Sequence, residues 1–491
     1  MELPARRPID ATGVPGLDLV LGGGVRRGAF LLLVGPPGGG KTTLAAQLAF
    51  AAVAAGRRVA FFTALSESTD KLIDHLRTLD FFAPDVVGEA LQVLSLQQFL
   101  TPGLADLADA VVGAARRQRA DLVVVDGYQG ARGAGGGAQI GRQFLYDIGG
   151  RLNLLGATLI VTATAIGGAA DLPEEATTAD AIVQLASTFV GVRQQRTLRA
   201  IKVRGAAPLP GVHGLALGAT GVTVSPALEA RVAVGRPMPP RAHPPRATFG
   251  LPELDTLLGG GLTRGTHTLI VGRTGTGKTL LGLHFALAGV RAGESTVFLG
   301  FRESPAQLVQ KAAIFALGDA LHAALAPGGG LTLLRLPPVN QDPDALADRL
   351  LAVLDGAGAR RLVIDSVAEI ERAVATGGDP ARVDDYLAAL LELLRARGIT
   401  SLLIKDRHRA GADALDFADE PLGVFVENLI LLRRVVRRSR MHRVLAVLKM
   451  SFSNNDESLR EFTITSPEGI RVLASFESTA GMLSDLGEAE G

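Results

Sequence analysis

Two stretches of the chain are versions of one segment: TGVPGLDLVLGGGVRRGAFLLLVGPPGGGKTTLAAQLAF, residues Thr12–Phe50, and FGLPELDTLLGGGLTRGTHTLIVGRTGTGKTLLGLHFA, residues Phe249–Ala286. Each copy contains Leu-Asp, a run of three glycines, Arg-Gly, an apolar run, a glycine loop and a helical pattern. The order of strand, glycine loop and helix predicts a phosphate-binding loop in each copy.

The repetition continues downstream of both segments. An apolar block that contains an aspartate, RADLVVVDG (Arg119–Gly127), recurs as ARRLVIDSV (Ala359–Val367). A later block, RTLRAIKVRG (Arg196–Gly205), recurs as HRVLAVLKMS (His442–Ser451). The paired blocks are all offset by about 240 residues, and a nearly constant offset over so long a stretch indicates a duplicated domain with insertions in its loops.

The boundary between the copies is predicted in VGRPMPPRAHPPRA (Val234–Ala247), which has five prolines in fourteen residues. Proline fixes φ and removes a backbone donor, so this segment is expected to be an extended linker. We predict a first domain over residues 1–229, a linker over 230–246 and a second domain with a C-terminal tail over 247–491. Apolar runs such as Ala29–Val34 alternate with helical patterns in each copy, which predicts an α/β fold with a mostly parallel sheet between helices.

Composition limits the class of protein. With 491 residues and 47% hydrophobic content, the chain can bury two cores. A formal net charge of +1 gives no bulk attraction to nucleic acid or membranes, and the absence of cysteine excludes disulfides and thiolate metal sites. Neither the N-terminus nor the alanine-rich stretch Ala45–Ala55 has the apolar length of a signal peptide or membrane span. We expect a cytoplasmic protein with no membrane partner.

The two glycine loops, Gly35–Thr42 and Gly272–Thr279, match the G-x-x-x-x-G-K-[ST] pattern. Glycines let backbone N–H groups wrap a phosphate chain, the helix that follows points its positive end at the phosphates, and the lysine reaches the outer phosphates. The alternative, a glycine turn that happens to end in Gly-Lys-Thr, does not account for two matches in register. The predicted ATP-binding residues are Gly35, Gly38, Gly39, Gly40, Lys41, Thr42, Thr43, Gly272, Thr274, Gly275, Thr276, Gly277, Lys278, Thr279 and Leu280.

A magnesium site is predicted beside each loop. The hydroxyls of Thr42 and Thr279 are expected to bind Mg²⁺ together with the nucleotide. Asp126 and Asp365 each end an apolar run, the place from which a carboxylate can hold the magnesium shell of a P-loop protein. A strand-end aspartate is by itself often only a turn residue, but here each one follows a P-loop at a matching distance.

From about Ile9 to Leu483, the chain resembles the KaiC family of tandem RecA-like P-loop ATPases, which are related to RadA and RecA. The resemblance rests on the P-loops together with TGVPGLD, LGGGVRRG, IKVRG, SLREFTIT (Ser458–Thr465) and SFESTAGML (Ser475–Leu483). It implies two tandem RecA-like domains, Mg²⁺-dependent ATP hydrolysis, and a double-ringed homo-hexamer with ATP between neighbouring subunits. Such a ring would serve as a nucleotide-driven signalling or assembly platform for partner proteins.

The same resemblance supplies candidates for the general base. RecA-like ATPases polarise the attacking water with a glutamate at the tip of the strand beside the P-loop strand, and Glu67 and Glu303 are the matching carboxylates here. KaiC proteins have a Glu-Glu pair at this tip, whereas this chain has Ser66-Glu67 and Arg302-Glu303. The simpler alternative is that Glu303 precedes a helix capped by Ser304 and Pro305 and lies in solvent.

Residues from a neighbouring subunit are also implied. In KaiC-like rings a Lys-x-Arg pair reaches the γ-phosphate of the next subunit, and Lys202 and Arg204 match it in the first copy. The second copy keeps Lys449 but has Ser451 in place of the arginine. The first site is therefore predicted to hydrolyse more ATP than the second. The alternative is that these charges lie on the outward face of an edge strand.

Two other functions compete with this prediction. A KaiC-type serine/threonine autokinase is disfavoured, because residues 402–438, which align with the family's phosphorylation sites, contain no Ser, Thr or Tyr and place Gly423 and Val424 there. A RecA/RadA-like DNA-binding ATPase is suggested by the glycine-rich loop with Arg132 and Arg142 and by the arginines of Arg433–Arg443. With 4% aromatic residues and no Trp, little is available for base stacking, and those arginines fit a solvated or intersubunit hairpin better.

Overall fold

The computed structural model describes residues 7–63, 69–96, 104–127, 137–164, 174–232, 245–339, 342–377, 380–406, 421–437, 440–452 and 458–475. The chain divides into two compact units, residues 1–231 and 232–491. The predicted linker falls largely on residues 233–244, which lie outside the described residues. Among the described residues, each unit contains one sheet of nine strands and one of two strands.

The first unit contains eleven described strands and five described α-helices. The strands are β1 Ile9–Asp10, β2 Val25–Arg26, β3 Phe30–Gly35, β4 Val59–Thr63, β5 Leu91–Ser95, β6 Leu122–Val125, β7 Thr158–Thr164, β8 Ala181–Val190, β9 Arg193–Val203, β10 His213–Gly218 and β11 Gly221–Ser225. The helices are α1 Leu17–Leu21, α2 Lys41–Ala54, α3 Thr69–Leu76, α4 Leu104–Gln118 and α5 Gly137–Leu154. Short 3₁₀ turns cover Pro84–Val86, Glu174–Thr178 and Glu229–Arg231.

The second unit contains eleven described strands and eight described α-helices. Its strands are β12 Arg246–Ala247, β13 Leu262–Thr263, β14 His267–Gly272, β15 Thr296–Gly300, β16 Leu331–Arg335, β17 Arg361–Asp365, β18 Thr400–Asp406, β19 Asn428–Arg437, β20 Arg440–Met450, β21 Arg460–Thr465 and β22 Gly469–Ser475. Its helices are α6 Pro252–Leu257, α7 Lys278–Arg291, α8 Pro305–Ala313, α9 Gly318–Leu325, α10 Pro343–Ala357, α11 Val367–Thr376, α12 Arg382–Ala396 and α13 Pro421–Phe425.

The two large sheets have the same strand order. The first is β5-β4-β6-β7-β3-β8-β9-β10-β11 and the second is β16-β15-β17-β18-β14-β19-β20-β21-β22. The six strands from β5 to β8 run parallel, and an antiparallel hairpin series extends the sheet beyond them. This confirms the predicted fold class of two RecA-like α/β domains with mostly parallel sheets between helices.

The register matches between the units as well as the order. Lys202 pairs with Ile182 across β8 and β9, and Lys449 pairs with Leu429 across β19 and β20. Each of these hairpins also has an irregularity one residue farther along the first strand. The duplication that the sequence indicates therefore extends to the pairing of individual residues.

The parallel strands lie at the centre of each core because apolar side chains cover both of their faces. All six residues of β3 and all six of β14 are buried, as expected for strands covered by helices on both sides. The helices after the P-loops, α2 and α7, are buried over most of their circumference. Within the described residues, no helix is long and apolar enough to cross a membrane.

One expectation about topology is wrong. The strand that precedes Glu67 was predicted to lie beside the P-loop strand, but β4 is separated from β3 by β6 and β7, and β15 is separated from β14 by β17 and β18. In a doubly wound sheet each crossover can pass over a position that a later strand fills, so neighbours in sequence need not be neighbours in the sheet. On the side that faces β3, the strand directly beside β4 is β6, which Asp126 follows.

Candidate functional site

Each P-loop joins the end of a buried central strand to the start of a buried helix. The helix N-caps are Gly40 and Gly277, whose φ values of 94° and 107° favour glycine. A Cβ at Gly277 would lie 2.6 Å from Ile464 Cδ1, so a larger residue does not fit without movement. No side chain caps either helix. The N–H groups of the first turns are therefore available to bind an anion.

The P-loop lysines fold back onto the strands that precede them. Lys41 Nζ donates to the carbonyl oxygens of Gly35 and Pro36, both at 2.9 Å. Lys278 Nζ donates to those of Gly272 and Arg273 at 2.8 and 2.9 Å. Burial lowers the pKa of Lys41, and the nearby charge of Asp126 opposes that shift. Both ammonium groups thus lie within the curve of their own loops.

The structure brings the predicted magnesium residues of the first unit together. Thr42 Oγ1 donates to the Asp126 carboxylate, at 2.9 Å from Oδ2 and 3.2 Å from Oδ1. Thr162 on β7 donates to Oδ1 at 2.6 Å, and its hydroxyl accepts from the backbone N–H of Gly127 at 2.7 Å. Burial raises the pKa of Asp126, while these two hydroxyls oppose the shift. A divalent cation would stabilise such a buried carboxylate.

The second unit has the same pair with different surroundings. Thr279 Oγ1 donates to Asp365 Oδ2 at 2.6 Å. Burial raises the pKa of Asp365, and the charges of Glu303 and Asp406 raise it further. Ile404 occupies the position of Thr162, because both lie two residues before the sheet partner of the first P-loop glycine. Asp365 therefore receives one hydroxyl where Asp126 receives two.

The donor set fits magnesium, which prefers oxygen ligands and retains several waters and phosphate oxygens. A threonine hydroxyl and one buried carboxylate, at hydrogen-bond distance, supply a suitable protein half of the coordination shell in each unit. The described residues contain no group of three or more His, Cys, Asp or Glu that could hold a metal without a nucleotide. The remaining ligands would have to come from phosphates and water.

A chain of charged side chains surrounds the second P-loop. Asp406 Oδ1 lies 2.7 Å from Lys278 Nζ, and its Oδ2 lies 3.6 Å from Arg302 Nη1. Arg302 also forms an ion pair at 2.7 Å with Glu369, whose side chain is almost fully buried. Asp406 could not be predicted as a site residue because its strand contains no motif. Its only signal was a lone carboxylate at the end of an apolar run.

An arginine contacts each P-loop from the adjoining hairpin. Arg196 on β9 donates to the carbonyl oxygen of Gly38 at 3.4 Å, and Arg434 on β19 donates to that of Gly275. Ser187 pairs with Arg196 across the first hairpin, and Arg434 pairs with Arg443 at the matching position of the second. The predicted hairpin over Arg433–Arg443 is thus present, and one of its arginines lies against the P-loop.

Of the two general-base candidates, the structure describes Glu303 but not Glu67. Glu67 lies outside the described residues, as does Arg132. Glu303 Oε1 forms an ion pair with Lys311 at 2.7 Å, while its Oε2 is buried and has no hydrogen-bond partner among the described residues. Ser304 does form a capping box with Gln307 at the start of α8, so the predicted cap is confirmed. The capping box uses Ser304 and Gln307, so it leaves Glu303 Oε2 available to act as the predicted general base.

The Lys-x-Arg pair lies at the end of its sheet opposite to the P-loop, where the parallel strands begin. Strand β9 runs antiparallel to β8 and ends beside the residue at which β8 begins, so Arg204 lies next to Asp180, with an ion pair at 3.1 Å. Lys202 Nζ donates to Thr177 O at 3.4 Å. In the second unit Lys449 Nζ donates to Val426 O and Gly423 O at 2.7 and 3.1 Å, and Ser451 Oγ donates to Glu427 O at 3.1 Å.

The strand containing these residues is interior where it pairs with β10, but that pairing covers only residues 196–198 of β9. The end of β9, at Lys202 and Val203, pairs with β8 alone among the described residues. The alternative of an edge strand therefore holds locally, although β9 as a whole is not an edge. In each unit the P-loop, threonine and aspartate lie at the carboxyl ends of the parallel strands. The Lys-x-Arg positions lie at the opposite, amino-terminal ends of those strands.

Comparison with known proteins agrees with this geometry. A family model described as "ATPase: KaiC" matches residues 11–229 and 247–477. The chain is 25% identical to the circadian clock oscillator protein KaiC of Rippkaea orientalis and to that of Synechococcus elongatus, over 96% of this chain and 90% of each relative. It is 24% identical to the circadian clock protein KaiC3 of Synechocystis sp., over 96% of this chain and 93% of that protein. With two P-loop domains that each match the family model, the chain belongs to the KaiC family of ATP-binding proteins.

Proposed function

We propose that the protein is a Mg²⁺-dependent ATPase with two ATP sites per chain, which assembles into a ring of identical subunits and uses nucleotide to control that assembly. The observation that carries this proposal is the repeated pairing of a P-loop threonine with a buried aspartate, at 2.9 Å in the first unit and 2.6 Å in the second. The pairing supports a cation and the outer phosphates of a nucleotide at the same edge of each sheet.

Within each site the groups have separate tasks. The glycine-capped helix start binds phosphate oxygens, Lys41 or Lys278 neutralises the β and γ phosphates, and the threonine and aspartate hold Mg²⁺. Bound Mg²⁺ neutralises the charge that develops on the transferring phosphoryl group. Glu303 could orient the attacking water through its unpartnered oxygen, since Lys311 holds the other oxygen of that carboxylate.

Ring assembly follows from the position of Lys202 and Arg204. The P-loop begins at the carboxyl end of β3, whereas Arg204 lies beside the residue at which β8, parallel to β3, begins. Six residues of β3 separate the two edges, a span of roughly 17–20 Å. Neither residue can reach the nucleotide of its own unit, so a role at the γ-phosphate requires a second copy of the chain, with ATP bound between subunits.

The two sites are proposed to differ in hydrolysis. An arginine offers a fixed positive fork to the charge that spreads over the transferring phosphoryl oxygens. Arg204 can supply that charge to a neighbouring subunit after leaving its exposed pair with Asp180. Ser451 cannot, and Lys449 is engaged with the end of α13. We expect most turnover to come from the first unit.

The test combines phosphate release with sedimentation. Wild-type chain, Lys41→Ala, Lys278→Ala and the double variant are each incubated with ATP and Mg²⁺, and both free phosphate and particle size are measured. The proposal expects turnover and ATP-dependent association in the wild type and neither in the double variant. Phosphate release by the double variant at the wild-type rate would contradict it.

A further inference from the structure

We infer that Asp406 weakens ATP binding at the second site by competing with the nucleotide for the P-loop lysine. This inference rests on the proposed ATP-binding function and adds to it a residue that sets the affinity of one site. Asp406 is the last residue of β18 and lies opposite Gly272, the first residue of the P-loop, in the parallel register. The end of β18 thus places a carboxylate beside the start of the P-loop, where the phosphates of ATP are proposed to bind.

The ammonium of Lys278 already has a full set of acceptors. It has three donors, and three acceptors take them: Gly272 O, Arg273 O and Asp406 Oδ1, at 2.8, 2.9 and 2.7 Å. The Lys278 side chain is only 6% exposed and that of Asp406 only 12%. An ion pair so shielded from water is little screened. ATP must therefore displace the carboxylate before its phosphates can bind the lysine.

The first unit provides the comparison. Thr164 occupies the position of Asp406, since it lies opposite Gly35 in the same parallel register. Its side chain carries no charge, and among the described residues no carboxylate forms a salt bridge with Lys41. Among the residues that the structure describes, the ammonium of Lys41 is thus held by two backbone carbonyls. In the first unit, no described carboxylate lies as close to the P-loop ammonium as Asp406 lies to Lys278, so none competes with phosphate in the same way.

Arg302 shows where the displaced carboxylate would go. Its Nη1 already lies 3.6 Å from Asp406 Oδ2, while its Nη2 binds the buried Glu369 at 2.7 Å. Release of Lys278 leaves Asp406 beside a guanidinium that Glu369 keeps in place. The carboxylate remains close to the bound phosphates, however, and repels them. Both the lost ion pair and the remaining repulsion act against ATP at the second site.

The test measures ATP affinity one site at a time in the full chain. Equilibrium binding of labelled ATP with Mg²⁺ is measured in a Lys41→Ala background, which leaves the second site, with and without Asp406→Asn. We expect about tenfold tighter binding after Asp406→Asn and unchanged binding after Asp406→Glu, which retains the charge. The reciprocal change, Thr164→Asp in a Lys278→Ala background, is expected to weaken binding at the first site about tenfold.

Glu371→Gln is the matched control, because it removes one negative charge from the neighbouring pair with Lys405 and does not touch Lys278. Its ATP affinity should equal that of the background. Thermal unfolding without nucleotide shows whether each variant folds, and the Thr164→Asp arm stands independently of any loss of folding in the second unit. Equal ATP affinity with and without Asp406→Asn would overturn this inference while leaving ATP binding intact. No ATP binding in any background would overturn both this inference and the proposed function.

Discussion

The first and second units share strand order, register and a hairpin irregularity, but the ammonium groups of Lys41 and Lys278 lie in different charge environments. Around Lys41, the described partners are backbone carbonyls, with Asp126 held by two hydroxyls. Around Lys278, a chain of alternating charges runs from Asp406 through Arg302 to Glu369. Duplication has kept the backbone that creates a P-loop, whereas the side chains that tune it have diverged.

At the opposite sheet edge the same divergence recurs. Asp180 and Glu427 each precede a matching strand, and each accepts a hydrogen bond from the first residue of the P-loop strand, Phe30 or His267. Asp180 also holds Arg204, whereas Glu427 holds Arg395 of α12. The acid is retained, but in the second unit its arginine partner comes from helix α12 and not from the end of the hairpin strand. The two units therefore share the position of the acid but differ in the origin of its arginine partner.

The largest effect is expected from Arg204→Ala. Loss of a trans-acting arginine should reduce phosphate release by about 10³-fold or more, while association with ATP persists. Ser451→Arg should raise the contribution of the second site, measured in a Lys41→Ala background. An Arg204→Ala protein that assembles and turns over ATP normally would remove the asserted difference between the units.

A second comparison concerns assembly. Lys41→Ala is expected to weaken ATP-driven association more than Lys278→Ala, because in KaiC-like rings the first domain forms the ring and ligand that binds only the assembled state drives assembly by mass action. Sedimentation over a range of ATP concentrations measures this, with an expected shift of at least tenfold in the ATP needed. Identical profiles for both variants and the wild type would contradict it.

A third prediction concerns phosphate transfer to the protein itself. Residues 402–438 contain no hydroxyl acceptor, so the second unit should incorporate no stable label there or at Ser439 from γ-labelled ATP. Mapping of labelled peptides after a long incubation with Mg²⁺ checks this. Label within that span would show that the alignment of Gly423 and Val424 with the family's phosphorylation sites is wrong.

A smaller effect is expected from Thr162→Val, which gives Asp126 the single-hydroxyl environment of Asp365. The loss of one hydrogen bond to a charged acceptor, worth about 1.5 kcal/mol at the lower end of its usual range, should raise the Mg²⁺ concentration for half-maximal turnover by up to about tenfold. Ile404→Thr is the reverse change in the second unit. Unchanged Mg²⁺ dependence after Thr162→Val would show that Thr42 suffices.

The smallest effect concerns stability against pH. Burial raises the pKa of Asp126 in the folded, nucleotide-free chain, so folding favours its protonated form and the associated stability is lost as pH rises through the folded pKa. Asp126→Asn should therefore raise the melting temperature at neutral pH by roughly 2–4 °C. The difference should shrink as the pH falls below the unfolded pKa. A destabilised Asp126→Asn protein at neutral pH would show that its hydrogen bonds outweigh its burial.

The parts of the fold that could be predicted were those with a local signal. The two P-loops, the strand-end aspartates and the repeat offset predicted the fold class, and the structure brings Thr42 to Asp126 and Thr279 to Asp365. Sheet order could not be obtained in this way, because the position of β4 three strands from β3 depends on crossovers between distant segments. The contacts of Asp406 and Arg434 likewise depend on register between strands far apart in the chain. The domain boundaries and the roles of the site residues stay predictions.

Complementation between two inactive variants tests the central claim most directly, namely that the first site is completed by Arg204 of a second copy. Both variants carry Lys278→Ala. One also carries Arg204→Ala and keeps Asp126, and the other carries Asp126→Asn and keeps Arg204. In an equal mixture about a quarter of the interfaces would join a site with Asp126 to a neighbour with Arg204, so the account predicts phosphate release approaching a quarter of the rate of the Lys278→Ala parent. A mixture that associates in ATP but releases no more phosphate than the two variants measured separately would contradict it.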